Sequence, residues 1–112
     1  MTKYALRLHR LEVRLSRDIS YTAEDFYDLL RDQNCLDPVE EGEFDTEEEG
    51  RAALANAQPR TIRRRGTAMP YLDVEIYELE KIVFEPLEDG DREYDTITTI
   101  GYRAEPYVKE AQ

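Results

Sequence analysis

The chain contains one histidine and one cysteine, the side chains best suited to acid–base or nucleophilic chemistry near neutral pH. His9 falls in an alternating apolar segment, which favours a partly exposed strand histidine over a catalytic one. Cys35 lies between Asp32 and Asp37, and their negative charge disfavours the thiolate that a nucleophilic cysteine needs. Neither residue predicts a catalytic site.

Common catalytic motifs are also missing from the sequence. It contains no glycine-rich phosphate loop, no Cys-x-x-Cys pair and no Gly-x-Ser-x-Gly elbow, which are the usual marks of nucleotide, zinc and hydrolase sites. We therefore predict a protein that is not an enzyme and that needs no cofactor.

The acidic segment 37–48 can be aligned with the calcium loop of an EF-hand. Gly42 falls at the glycine position of that loop. Val39, however, offers no side-chain oxygen where a ligand is needed, and Pro38 restricts the backbone where the loop begins to turn. Calcium binding is therefore a secondary alternative, and its ligands would be Asp37, Glu41, Asp45 and Glu48.

The densest charge in the chain is a run of carboxylates between residues 40 and 49. One interpretation is a solvated connection that leads into a helix. The other is a surface that imitates nucleic acid, because a basic groove releases counterions to carboxylates much as it does to phosphates. The predicted partner-binding residues are Glu40, Glu41, Glu43, Asp45, Glu47, Glu48 and Glu49.

A basic triplet, Arg63, Arg64 and Arg65, is followed by Gly66 and Pro70. Glycine and proline around it are typical of a loop, so we predict a mobile basic loop. It could contact a phosphate, or it could pair with carboxylates of its own fold or of a second subunit.

Tyrosine is frequent, with eight tyrosines and no tryptophan. Several occupy alternating segments near the C-terminus, where some must face outward, and an exposed tyrosine suits a protein interface. Ordinary strand residues are the alternative. The candidate interface residues are Tyr71, Tyr77, Tyr94 and Tyr102.

Alternation of apolar residues predicts a first strand over 4–15, with a β-bulge at His9-Arg10 that would return the apolar side chains to one face. A helix through the same residues is the alternative. Alternation also predicts strands over 71–84 and 94–102, and an Asp-Gly turn between them predicts a hairpin.

Two helix starts carry the Thr-x-x-acid pattern of a capping box. Thr22 begins a helix that extends to about residue 33, and Thr46 begins a second that extends to about residue 57. Gly50 weakens the second helix by roughly 1 kcal/mol relative to alanine, so this helix must pack closely or remain marginal.

These elements predict an α+β fold of order β-α-α-β-β, with a three-stranded antiparallel sheet and two helices packed on one face. A length of 112 residues fits a single domain over 1–112. We expect a short disordered tail at about 108–112. A three-stranded sheet leaves two edges to cover, which predicts a homodimer through a sheet edge.

The formal net charge is −11 at pH 7, and the charges fall in blocks. Residues 21–50 and 71–112 are strongly acidic, whereas residues 1–20 and 51–70 are net basic. Direct binding to nucleic acid is not expected, because phosphates would be repelled. Blocks of opposite sign could instead meet within the fold or across a dimer interface.

No apolar stretch is long enough for a membrane helix or a signal peptide. A single cysteine cannot form an intramolecular disulfide, which is typical of a reducing compartment. We therefore predict a cytoplasmic protein without membrane association.

In size, acidity and lack of catalytic motifs, the whole chain resembles the small accessory proteins of bacterial mobile elements, some of which inhibit host defence nucleases. The resemblance rests on no motif, so it transfers no functional residues. It implies a non-enzymatic protein-binding module that mimics nucleic-acid charge against a basic protein partner. A small self-associating structural domain is the alternative.

Overall fold

The computed structural model describes residues 1–17, 19–33, 38–86 and 93–109. They form an antiparallel sheet curled into a half-barrel, together with two helices. The molecule is elongated, with principal extents of 61 × 26 × 18 Å. The elements in chain order are β1 (Thr2–Arg14), α1 (Ala23–Asp32), β2 (Val39–Phe44), α2 (Glu47–Asn56), β3 (Thr61–Arg64), β4 (Tyr71–Pro86) and β5 (Glu93–Ala104).

The strand order is β2-β1-β4-β3, and β5 also pairs with β4. β3 pairs with residues 71–74 of β4 and β5 pairs with residues 76–86, so these two strands follow one another along the same side of β4. One outer edge of the sheet is therefore β2, and the other is shared by β3 and β5.

The predicted three-stranded sheet and the predicted order β-α-α-β-β are both wrong, because the sheet has five strands and the order is β-α-β-α-β-β-β. The two additional strands, β2 and β3, occupy the segments interpreted as an acidic connection and an arginine loop. Both lie at sheet edges and bury little side-chain surface. Such strands carry no apolar alternation, and backbone pairing with their neighbours holds them in place.

The predicted bulge in β1 is also wrong. β1 pairs with β4 in one continuous register from Thr2↔Val83 to Arg14↔Tyr71. Successive strand residues project to opposite faces, so the shift in apolar phase at His9 marks a change in the buried face. Each end of β1 buries a different side of the sheet.

The two helices therefore lie on opposite faces of the sheet, and not on one face as predicted. We call these the α1 face and the α2 face, after the helix that covers part of each. The buried core on the α1 face consists of Leu11, Val13, Leu15, Phe26, Leu30, Leu72, Val74 and Ile76. The smaller core on the α2 face consists of Tyr4, Leu6, Leu54 and Leu79.

The capping box of α1 is confirmed. The Thr22 hydroxyl accepts from the Asp25 amide at 3.1 Å, and the Asp25 carboxylate accepts from the Thr22 amide at 2.8 Å. This start sets the helix phase so that Phe26 and Leu30 face the sheet and are buried. The helix ends at Asp32, as predicted to within a residue or two.

α2 confirms the second helix start, with the Thr46 hydroxyl accepting from the Glu49 amide at 3.2 Å. Gly50 is buried against the sheet, and a Cβ atom there would lie 3.1 Å from the Leu79 side chain and 3.2 Å from Tyr4. The glycine that weakens the isolated helix is thus what lets it approach the sheet closely. At its C-terminal end, the Arg103 guanidinium donates to the carbonyl of Ala55.

The β4–β5 hairpin is confirmed, because the two strands pair antiparallel from Ile76↔Ala104 to Pro86↔Glu93, with one register shift between Leu79 and Glu80. The predicted Asp-Gly turn lies outside the described residues.

After β5 the chain returns to the start of α1, where the amide of each of Tyr21 and Tyr107 donates to the other's carbonyl at 2.8 and 2.9 Å. Of the tail expected to be disordered, residues 110–112 lie outside the described chain.

Candidate functional site

β2 and the first turn of α2 form one acidic border of the sheet, which we call the acidic edge. All of the predicted partner-binding carboxylates lie on it, and all are exposed. They lie together because β2 is an edge strand and only two residues separate the end of β2 from the start of α2. The members are Glu40, Glu41, Glu43 and Asp45, followed by Glu47, Glu48 and Glu49 in the helix.

Two of these carboxylates form a salt bridge within the described chain. Lys3 Nζ lies 2.7 Å from Glu43 Oε1, and this hydrogen-bonded pair lowers the pKa of Glu43 and raises that of Lys3. Arg51 Nε lies 3.1 Å from Glu47 Oε2, one helical turn away. Within the described chain no salt bridge involves the other five, which are Glu40, Glu41, Asp45, Glu48 and Glu49.

An irregularity in the backbone of β2 determines the directions in which its glutamate side chains project. Gly42 pairs with Leu6 and Glu40 pairs with Arg7, so Glu41 is an extra residue in the ladder, as in a β-bulge. Glu40 and Glu43 project to the α1 face, because they oppose Arg7 and Ala5 there. The helix α2, which carries the other glutamates in its first turn, packs on the opposite face. The acidic edge therefore has carboxylates on both sides of the sheet.

The calcium-loop alternative does not match this backbone, because residues 39–44 are an extended strand and α2 begins at Glu47. In the part of the chain that the structure describes, no three acidic, histidine or cysteine side chains are grouped to hold a metal ion. Asp37, the first ligand of the proposed loop, lies outside the described residues, as does Cys35.

The arginine triplet is not the loop that we predicted, since Arg63 and Arg64 belong to β3. Arg64 Nε lies 3.0 Å from the Asp73 carboxylate on the neighbouring strand. Arg63 and Arg65 are exposed. β3 and β2 border opposite edges of the sheet, so the structure does not bring the triplet to the acidic edge.

The predicted tyrosine interface does not form one surface. Tyr71 and Tyr77 project to the α2 face, where they oppose Arg14 and Leu8. Tyr102 lies on the α1 face and stacks on Tyr27, with ring centroids 4.2 Å apart. Tyr94 belongs to β5.

A polar network on the α1 face was not predicted. Its centre is Glu78, whose carboxylate lies 3.0 Å from His9 Nε2 and accepts from the Tyr27 hydroxyl at 2.7 Å and the Thr99 hydroxyl at 2.8 Å. The His9 side chain is only 12% exposed, so it is more buried than the sequence indicates. The network ties α1, β1 and β5 to the central strand.

The network strongly favours the ionised form of Glu78. Burial acts to raise the pKa of Glu78, but hydrogen bonds from His9, Tyr27 and Thr99 outweigh it and lower that pKa to about 2. The adjacent Glu80 pairs with Arg7 Nε at 2.7 Å, yet burial still raises its pKa. Glu78 is therefore a fixed anion at neutral pH and a poor general base.

No helix in the described chain has the length and apolar character needed to cross a membrane.

Comparison with known proteins gives no match: no family model, no curated protein and no solved structure matches this chain.

Proposed function

We propose that the protein is a non-enzymatic binding module whose acidic edge engages a basic surface on a protein partner. The observation that carries the proposal is the set of five exposed carboxylates on this edge that form no salt bridge within the described chain. Exposed charges contribute little to the stability of a fold even when they are paired. They are available to release counterions from a basic groove.

The charge density of β2 supports mimicry of nucleic acid. Glu40 and Glu43 project to the same face from β2, and β1 advances by only two residues between their partners, Arg7 and Ala5. At about 3.3 Å per residue, the two glutamates lie roughly 7 Å apart along the strand. One strand of DNA carries one phosphate per about 3.4 Å of helix axis. The protein would therefore compete with nucleic acid for the groove of a basic protein, as an inhibitor does. A cytoplasmic location is part of this proposal.

The experiment is capture of partners from a lysate of the native host with two matched triple variants. Glu40, Glu41 and Glu48 are changed together to glutamine in the first variant, because none of them forms a salt bridge or caps a helix in the described chain. In the second, three exposed acids of α1, Glu24, Asp28 and Asp32, are changed to the corresponding amides. Both variants change the net charge equally.

We expect the native protein and the α1 variant to retain the same basic protein, which added duplex DNA displaces. The acidic-edge variant should lose it. Equal retention by both triple variants would contradict the proposal, as would a captured partner that DNA does not displace.

A further inference from the structure

The outer edges of the sheet differ in how they are protected against pairing with another strand. β2 carries three glutamates and a bulge, and β3 is four residues long and ends in two arginines. Charges, bulges and short length all oppose edge-to-edge association. β5 is twelve residues long, and its stretch from Thr96 to Tyr102 contains no charged residue and no proline.

The outer side of this stretch is open in the described chain. β5 pairs with β4 alone, and the two helices contact it from the faces. The Arg51 guanidinium donates to the Ile100 carbonyl at 3.4 Å, which leaves Thr96–Thr99 as the open part. All four residues are exposed, and Ile97 retains 54% of its surface. The open stretch thus offers unpaired backbone groups beside an exposed apolar side chain.

We propose that two copies of the chain pair antiparallel through β5 about a two-fold axis near Thr96–Thr99. An antiparallel strand pair is self-complementary, so the same edge serves both copies. The two sheets become one continuous sheet. Ile97 opposes Ile82 on the α1 face, and pairing adds an apolar neighbour to this partly exposed pair.

Electrostatics favours β5 over β2 as the site of this contact. In the pairing through β5, the order is β2-β1-β4-β5 followed by β5-β4-β1-β2 of the second copy. At about 4.8 Å per strand, the path along the sheet from one acidic edge to the other is roughly 34 Å, which is several times the Debye length of about 8 Å at physiological salt. Pairing through β2 would bring the same carboxylates into contact.

The test is sedimentation equilibrium of the full chain over a wide concentration range, with one lysine introduced at either edge. Ile97→Lys places a charge in the open stretch of β5, and Val39→Lys is its matched control, since Val39 is an exposed aliphatic residue of β2. Circular dichroism checks that both variants are folded. We expect the native protein to reach twice the 13.2 kDa chain mass.

We expect Ile97→Lys to weaken the dimer by about tenfold or more, because two lysines would then meet near the axis. Val39→Lys should leave dimerisation unchanged. A native protein that stays monomeric at all concentrations would overturn the proposal, and so would equal effects of the two lysines. The dimer is independent of the proposed function, because partner capture by the acidic edge can be measured in the Ile97→Lys variant.

Discussion

Glu78 shows most clearly what individual side chains do in this fold. Its carboxylate receives hydrogen bonds from residues 69, 51 and 21 positions away in the chain, and no local pattern in the sequence could have revealed that convergence. Its pKa is about 2, below the ordinary value of 4.5. A lowered pKa means that ionised Glu78 stabilises the folded state above pH 4.5, and that this contribution is lost as the pH falls toward 2.

Replacing Glu78 with glutamine removes the charge and keeps a similar shape. We expect the free energy of unfolding at pH 7 to fall by about 1 to 3 kcal/mol. The stability lost by the native protein between pH 4.5 and 2 should become smaller in the variant. Urea unfolding at pH 7 and at pH 3 measures both effects. Glu12→Gln, at an exposed position of β1, is the control and should change stability little.

Some helices and strands have a pattern in the local sequence that predicts them, and others do not. α1 could be predicted because Thr22 and Asp25 fix its start and Phe26 marks its buried face. The hairpin could be predicted from alternation in β4 and β5. β2 and β3 could not, because a strand that buries almost nothing has no apolar period.

The face to which the apolar side chains of β1 point was harder to predict than the type of element that they form. The apolar residues of β1 change parity at His9, and a bulge that keeps one buried face explains this as well as two buried faces do. Only the register with β4 distinguishes the two explanations. For the candidate site, the sequence identified the carboxylates, but their position on an open sheet edge required the pairing of β2 with β1.

α2 depends on close approach at Gly50, where a Cβ atom would contact Leu79 and Tyr4. We expect Gly50→Val to destabilise the protein by about 1 to 3 kcal/mol, because the added methyl groups overpack the contact with the sheet. Ala52→Val is the control, because it introduces the same β-branched side chain on an exposed side of the helix. It should lower the free energy of unfolding by less than about 1 kcal/mol. Thermal unfolding of both variants compares them directly, and equal losses would contradict the close packing.

At the scale of the whole molecule, the two outer edges of the sheet differ in charge. The acidic edge lies on one border of the elongated sheet, and the uncharged stretch of β5 lies on the other. A dimer through β5 would therefore present two acidic edges at its outer ends. Two linked edges would bind a partner with repeated basic sites more tightly than one edge does.

Salt dependence of partner binding follows from the proposed counterion release. Between about 50 and 200 mM salt, binding by the native acidic edge should weaken at least tenfold. The dimer through β5 should change much less, because its contacts are backbone hydrogen bonds and apolar side chains. Sedimentation at the two salt concentrations measures the dimer, and partner titration measures the acidic edge.

The most direct test of the central claim is titration of the captured basic partner with the native protein and with the triple variant at Glu40, Glu41 and Glu48. We expect the native affinity to fall steeply as salt rises, and the variant to bind more weakly at low salt and with a shallower salt dependence. Equal affinity and equal salt dependence of the two proteins would contradict the assignment of the acidic edge as the binding surface.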